Sequence, residues 1–262
     1  MKGNKHIERD ENAAKIFDNR SLAKDYKNLY QILKPGMTIL DIGCGTGSIS
    51  KDIANNIGST GKVIGIDNTA SFIKSGQESY QLVSNLELIT VDLFDYNPDL
   101  KFDLIVSART LQWLSNPKEA LIKMKSLLKP NGQISILDYD HTNLIWNPLP
   151  PESMQEFYKT FLKWRADAGM NNQIAEDLPQ LLKEVGFHSI EKINSDENYN
   201  QKDSDYTSKI GIWSKVAGST QMVDEGYLDN DLRIKAIEEY DNWIENSALS
   251  MTMKLNEVRG KL

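Results

Sequence analysis

The chain has 262 residues, 40% of them hydrophobic, which is enough for a real core in one embellished domain. Its formal net charge of −7 argues against nucleic acid as a partner, because phosphate binding needs clustered Lys and Arg. Its one cysteine, Cys44, excludes an intrachain disulfide; the polar start lacks a secretory apolar region, and no run approaches the ~18 apolar residues of a membrane helix, so the expectation is a cytoplasmic protein with no membrane partner.

In chain order, Tyr26, Leu29, Tyr30 and Leu33 recur at helical spacing and predict a helix before the first strand. Five short Ile/Leu/Val-rich bursts follow, at 38–42, 62–66, 86–91, 103–107 and 133–138, each with the composition of a buried parallel strand. Helical segments separate them. Ile49, Ile53 and Ile57 share one face, and Leu121, Met124, Leu127 and Leu128 share another, which Pro130 and Gly132 stop. Residues 141–173 are aromatic-rich and predict a helix from about 151 to 168. A sheet-packing helix at 175–187, a sixth strand at 188–193, helical segments over 206–247 and a closing strand at 250–258 complete the pattern. The polar stretches 194–205 and 224–232 read as loops. Alternating strand and helix implies an α/β fold with a doubly wound parallel sheet. The whole chain, 1–262, reads as one domain: an N-terminal helical cap (1–34), a core (35–140) and helical insertions at 141–173 and 203–247.

The stretch TILDIGCGTGSIS (38–50) places Gly43, Gly45 and Gly47 between the first strand and the next helix. Ligands of open α/β sheets sit outside the carboxyl ends of the strands, where bare backbone permits close approach. A dinucleotide loop reads G-x-G-x-x-G, whereas this one reads G-x-G-x-G behind Asp41, an acid better suited to a positively charged ligand than to a pyrophosphate. Asp67 ends the second strand about 20 residues past the glycines, where a carboxylate accepts from ribose hydroxyls; the alternative is an acid at a helix start. Asp92 follows the third strand and can accept from an adenine amino group or serve a turn, and Leu93 can cover the base.

Together, LDIGCGTG, IGID, VDLFD, FDLIVSARTLQWL and LLKPNGQISILD resemble the class I S-adenosylmethionine-dependent methyltransferases across roughly residues 36–138, and LLKEVGF extends the match. The resemblance implies a Rossmann-like, seven-stranded, mostly parallel sheet whose last strand is antiparallel, with S-adenosylmethionine as methyl donor. It also implies site roles. Gly43 and Gly45 line the methionine part, and Asp41 holds its amino end. Asp67, with Asn68 beside it, takes the ribose; Asp92 and Leu93 take the adenine; Ser107 and Ala108 lie near the sulfonium. Cys44 occupies a small-residue slot and reads as filler.

The expected chemistry is direct in-line transfer to a small organic acceptor held under the insertions. A base helps where the acceptor loses a proton. His141, with Tyr139 and Asp140 beside it, can take that role or bond locally at the strand end. Arg109 can meet an acidic substrate group or pair with a neighbouring carboxylate. Trp113, Trp146, Trp164 and Trp213 can stack on a flat acceptor or form the core of the cap helices, and Tyr26 faces the same choice. No acid ends the fourth strand, so no metal site is expected. The alternatives are a non-catalytic or accessory protein of the same fold, a nicotinamide dehydrogenase, and a methyltransferase acting on protein or tRNA.

Overall fold

The computed structural model describes residues 20–262. Among the described residues eight strands form one sheet: β1 (Thr38–Ile42), β2 (Lys62–Asp67), β3 (Leu86–Thr90), β4 (Phe102–Ala108), β5 (Leu128–Asn147), β6 (His188–Asn194), β7 (Glu197–Asn200) and β8 (Ser250–Lys261). Their order is β3-β2-β1-β4-β5-β8-β6, with β7 paired to β8 off this path. The pairs from β3 through β5 are parallel, and β8 runs antiparallel to β6 and β7. The Rossmann-like sheet with an antiparallel closing strand is therefore present, and β1 and β4 flank the point where strand order reverses.

The helices are α1 (Leu22–Asp25), α2 (Ser48–Ile57), α3 (Ala70–Ser79), α4 (Pro117–Leu127), α5 (Glu152–Asp167), α6 (Ile174–Glu184), α7 (Tyr206–Ile210), α8 (Ile212–Ala217), α9 (Gln221–Asp224) and α10 (Asn230–Asn246). Short 3₁₀ turns occupy Lys27–Gln31 and Leu111–Trp113. Among the described residues, no helix is long and apolar enough to cross a membrane.

The chain divides into two compact units. The core unit comprises residues 20–138, Ile174–Ser195 and Asn256–Leu262; the helical unit comprises Tyr139–Gln173 and Asp196–Leu255. In the core unit, Leu40 and Ile42 of β1 and Ile64 and Ile66 of β2 share one apolar cluster with Leu121 and Met124 of α4 and Leu178 and Leu182 of α6. These alternate strand positions face one side of the sheet, so Asp41 between them faces the other, toward α2. In the helical unit α10 packs on α5 and α8.

Three sequence expectations need correction. The expected first helix is two short pieces, because Tyr26 leaves helical geometry at φ −148°, ψ 38°; of the 1–34 cap, the part before residue 20 lies outside the described residues. The fifth strand is far longer than 133–138, beginning as α4 ends and running to Asn147. The polar stretch 194–205, read as a loop, contains β7, whose Asn198–Asn200 pair with Ser250–Thr252 of β8.

Candidate functional site

In the core unit β1 delivers the chain at Ile42 into a loop where Gly43 and Gly45 hold φ of +71° and +59°, a region costly for any residue with a Cβ. A Cβ on Gly43 would also lie 2.2 Å from Thr110 Oγ1. The loop is tied to β2: the N–H groups of Gly43 and Cys44 donate to the Ile66 carbonyl at 2.8 and 3.1 Å, and Gly45 N–H donates to Asp67 Oδ2 at 3.0 Å. The other Asp67 oxygen accepts from Thr69 N–H at 2.9 Å, at the start of α3. Asp67 therefore holds the loop as well as the helix start, the second of the two roles open to it in the sequence.

Asp41 is 4% exposed and accepts from Ser50 Oγ at 2.5 Å. Burial pushes its carboxyl up to about 6; the Ser50 hydrogen bond opposes this, and the Asp67 charge adds to it. Cys44 is a free cysteine whose Sγ meets the Gly45 carbonyl at 3.6 Å and packs where a Cβ on Gly65 would fall, as filler does. Burial raises its thiol well above its ordinary range, which keeps it protonated.

The other strand ends are placed as follows. Asn68 is exposed and accepts from the Thr69 hydroxyl at 3.3 Å. Asp92 is exposed beyond β3, with Oδ1 accepting from Phe94 N–H at 2.9 Å. Leu93 packs into the core cluster, and the exposed apolar side chain of this turn is Phe94. Ser107 donates across to the Ile42 carbonyl at 2.9 Å, and Ala108 ends β4 half-buried. Arg109 is buried, with its guanidinium donating to the Asp25 carbonyl at 3.2 Å and facing the Asp25 carboxylate at 4.0 Å. Of its two readings, the structure shows the carboxylate partner. Trp113 is half-buried in the 3₁₀ turn after β4.

Two residues of this site escaped the sequence reading. Thr110 sits over the loop, its hydroxyl 3.2 Å from the Ala108 carbonyl and 3.4 Å from that of Ile42. Gly76, inside α3, lets that helix approach so closely that a Cβ there would lie 2.1 Å from the Thr46 carbonyl oxygen. A glycine in a helix interior costs about 1 kcal/mol, so it signals close packing.

In the helical unit His141 is 5% exposed, among Tyr139, Phe161 and Trp213 with ring centroids at 5.3, 6.1 and 6.2 Å. Its backbone N–H donates to the Asn172 carbonyl at 2.8 Å, and its backbone carbonyl accepts from Tyr158 Oη at 2.5 Å. Burial, with a smaller push from Arg165, holds the imidazole well below its ordinary pKa and hence neutral. Asp140 accepts from the Thr142 N–H and hydroxyl and from Asn143 Nδ2, and Tyr139 Oη donates to Glu197 at 3.2 Å. Trp146 Nε1 donates to Tyr240 Oη at 3.0 Å and Trp164 Nε1 to Glu225 at 2.9 Å, while Trp213 stands edge-on to Tyr158 at 4.6 Å.

Comparison with known proteins decides what this glycine loop belongs to. A family of methyltransferase domains matches residues 33–214. The chain belongs to that family. Relatives include the ubiquinone/menaquinone biosynthesis C-methyltransferase UbiE of Cupriavidus metallidurans, 28% identical over 62% of this chain and 72% of that protein. The 2-phytyl-1,4-naphtoquinone methyltransferase of Trichormus variabilis is 29% identical over 52% of this chain and 56% of its own length. Matched stretches span from 37% to 72% of the curated relatives' own lengths. Among solved structures, phosphoethanolamine N-methyltransferase 2 of Haemonchus contortus, in complex with phosphomonomethylethanolamine and S-adenosylhomocysteine, superposes with TM-score 0.56 at 16% identity, covering 92% of this chain and 51% of that one; it supports the fold. The chain thus carries the methyltransferase domain of that family, on a fold shared with solved methyltransferases.

The residues present fit the donor. Asp41 is a buried carboxylate with one hydroxyl partner and a second acid nearby, an environment that favours a cationic group. Gly43 and Gly45 themselves carry no side chain into this loop, and each Asp67 oxygen uses one lone pair, Oδ2 on Gly45 and Oδ1 on Thr69, leaving acceptor capacity for hydroxyls.

Proposed function

We propose that this methyltransferase moves a methyl group from S-adenosylmethionine to a small organic acceptor. The observation that carries the reading is the bare Gly43–Gly45 loop, tied to Asp67 and backed by buried Asp41. When bound, the donor supplies a methyl already activated on a positive sulfur. The protein's work is to bind, orient and exclude water, and placement of this kind supplies up to ~7–11 kcal/mol. Asp41 takes the amino end, Asp67 with Asn68 the ribose, and Asp92 the adenine amino group. Ser107 and Ala108 form the β4 end near the sulfonium. The aromatic content of the helical unit suits a flat, ring-bearing acceptor, in keeping with the quinone chemistry in the names of two relatives. Trp113, Trp146 and Trp164 are the candidate stacking surfaces. Arg109, held by Asp25, would serve the acceptor by fixing the segment around it. Calorimetric titration with S-adenosylhomocysteine, with NAD⁺ as control, tests the donor reading. Binding of the first alone supports it, and binding of neither leaves an accessory protein of the same fold.

Donor affinity should depend on pH. A cationic ligand needs Asp41 ionised, and its carboxyl is raised to about 6. Affinity is therefore expected to rise with pH up to about 6 and level off above it, losing at most about tenfold per unit below. The ligand-free protein runs the other way: a raised carboxyl stabilises the fold fully below the ordinary carboxylate pKa, and that contribution is lost as pH rises through about 6. Titrations across this range check the sign, and flat affinity would remove Asp41 from the amino end.

His141 is the candidate base: its imidazole is neutral and carries a ring-nitrogen lone pair, while the burial that lowers its pKa also makes it a weaker base than an exposed histidine. With an acceptor that must lose a proton, His141→Ala is expected to lower kcat by about 10²–10⁴ while donor affinity stays unchanged. Tyr139 stands beside it as the second candidate. Single-turnover rates with a phenolic acceptor check this, and an unchanged rate would assign His141 to packing alone.

A further inference from the structure

Glu257 and Arg259 lie on β8 in the core unit, 0% and 8% exposed. Arg259 Nε donates to Glu257 Oε1 at 2.6 Å, and Ser135 Oγ on β5 donates to the same oxygen at 2.9 Å. The Tyr26 hydroxyl meets Ser135 Oγ at 2.9 Å. The remaining Arg259 nitrogens reach the N-terminal segment, donating to the Asn28 carbonyl at 2.6 Å and to Gln31 Oε1 at 3.2 Å; Glu191 stands 3.7 Å away. The second Glu257 oxygen is buried with no hydrogen-bond partner among the described residues. A buried pair of this kind adds little net stability, since desolvation offsets its attraction; its best-attested use is to fix one register among several.

The element it registers is segment 20–31, and the far side of that segment touches the parts that carry the donor loop. Ser48, first residue of α2, donates to the Arg20 carbonyl, and Leu22 N–H donates to Asp52 of the same helix at 2.9 Å. Asp25 faces Arg109 beyond β4. The Tyr26 phenol lies within the field of Asp41. Leu22, Tyr26 and Leu29 are all buried. Asp41 and Asp67 are themselves 4% and 6% exposed, so both carboxylates lie beneath the surface of the core unit.

We propose that Glu257 and Arg259 are positioning residues for the donor site: from β8 they latch segment 20–31 across α2 and the end of β4, and this strap opens to admit the donor and closes on it. The assignment rests on the donor reading. It is tested by amide hydrogen exchange of the full chain with and without S-adenosylhomocysteine, alongside calorimetry and thermal melting. Saturating ligand is expected to slow exchange across 20–31. Arg259→Met is expected to speed that exchange in the ligand-free protein and to weaken S-adenosylhomocysteine about tenfold, with Arg259→Lys recovering part of both. If Arg259→Met does not fold, Tyr26→Phe and Ser135→Ala, which each remove one hydroxyl from the network, must show the same coupled changes. Ligand binding that leaves exchange over 20–31 untouched overturns the strap. So does a variant with faster exchange there and wild-type affinity. Failure of the wild-type protein to bind the ligand at all overturns the donor reading itself, and this assignment with it.

Discussion

Asp67→Ala is expected to weaken S-adenosylhomocysteine by about ten- to a hundredfold, the range for losing hydrogen bonds to a charged acceptor. Two losses combine. The ribose hydroxyls lose their carboxylate, and the Gly45 and Thr69 N–H groups lose the oxygens they donate to at 3.0 and 2.9 Å. Asp67→Asn separates the two. An amide keeps the shape and one accepting oxygen, so it should retain part of the loop's order while giving up the charge-assisted bonds. Calorimetry on all three proteins measures this, and wild-type affinity in Asp67→Ala would take the residue out of the site.

Gly76→Ala is expected to damage stability and donor binding together. The new methyl would lie 2.1 Å from the Thr46 carbonyl oxygen and 2.7 Å from Leu88 Cδ1. The first neighbour is backbone, so relief requires moving either α3 or the glycine loop. Overpacking of this kind costs about 1–3 kcal/mol, against the propensity gain of about 1 kcal/mol that alanine brings to a helix interior. A lowered melting temperature with weakened S-adenosylhomocysteine binding is the expected pair. An exposed position would show the opposite sign, so a stabilised variant would mean that α3 does not bear on the loop.

What the sequence made legible is what is local. The glycine loop, the acids at the ends of β1 and β2 and the acid after β3 sit where strand ends place them, because strand, turn and helix each leave their own mark within a dozen residues. The miss at β7 has a different origin. Asn198, Tyr199 and Asn200 have no apolar alternation of their own; their pairing is set by β8, some fifty residues on, where Thr252 also donates to Asn198. The break at Tyr26 is likewise non-local, since that phenol bonds to Ser135. The second half of β5 was hidden by composition, because its polar residues, among them Asp140 and Asn143, bond to one another along the strand edge. In the site, Leu93 and Phe94 are adjacent apolar residues, and only the path of the turn decides which of them faces the core.

The position of β8 bears on how the molecule is made. In chain order it is the last of the described strands, yet it lies between β5 and β6 in the sheet. During synthesis β1 through β5 can assemble from neighbouring stretches, but the open flank of β5 stays without its partner until residues 250–261 have left the ribosome. The Arg259–Asn28 bond, spanning 231 positions, closes only then. Such late, long-range closure is slow. Nascent chains halted before β8 would therefore expose an unpaired strand edge, and would be the form most in need of a chaperone.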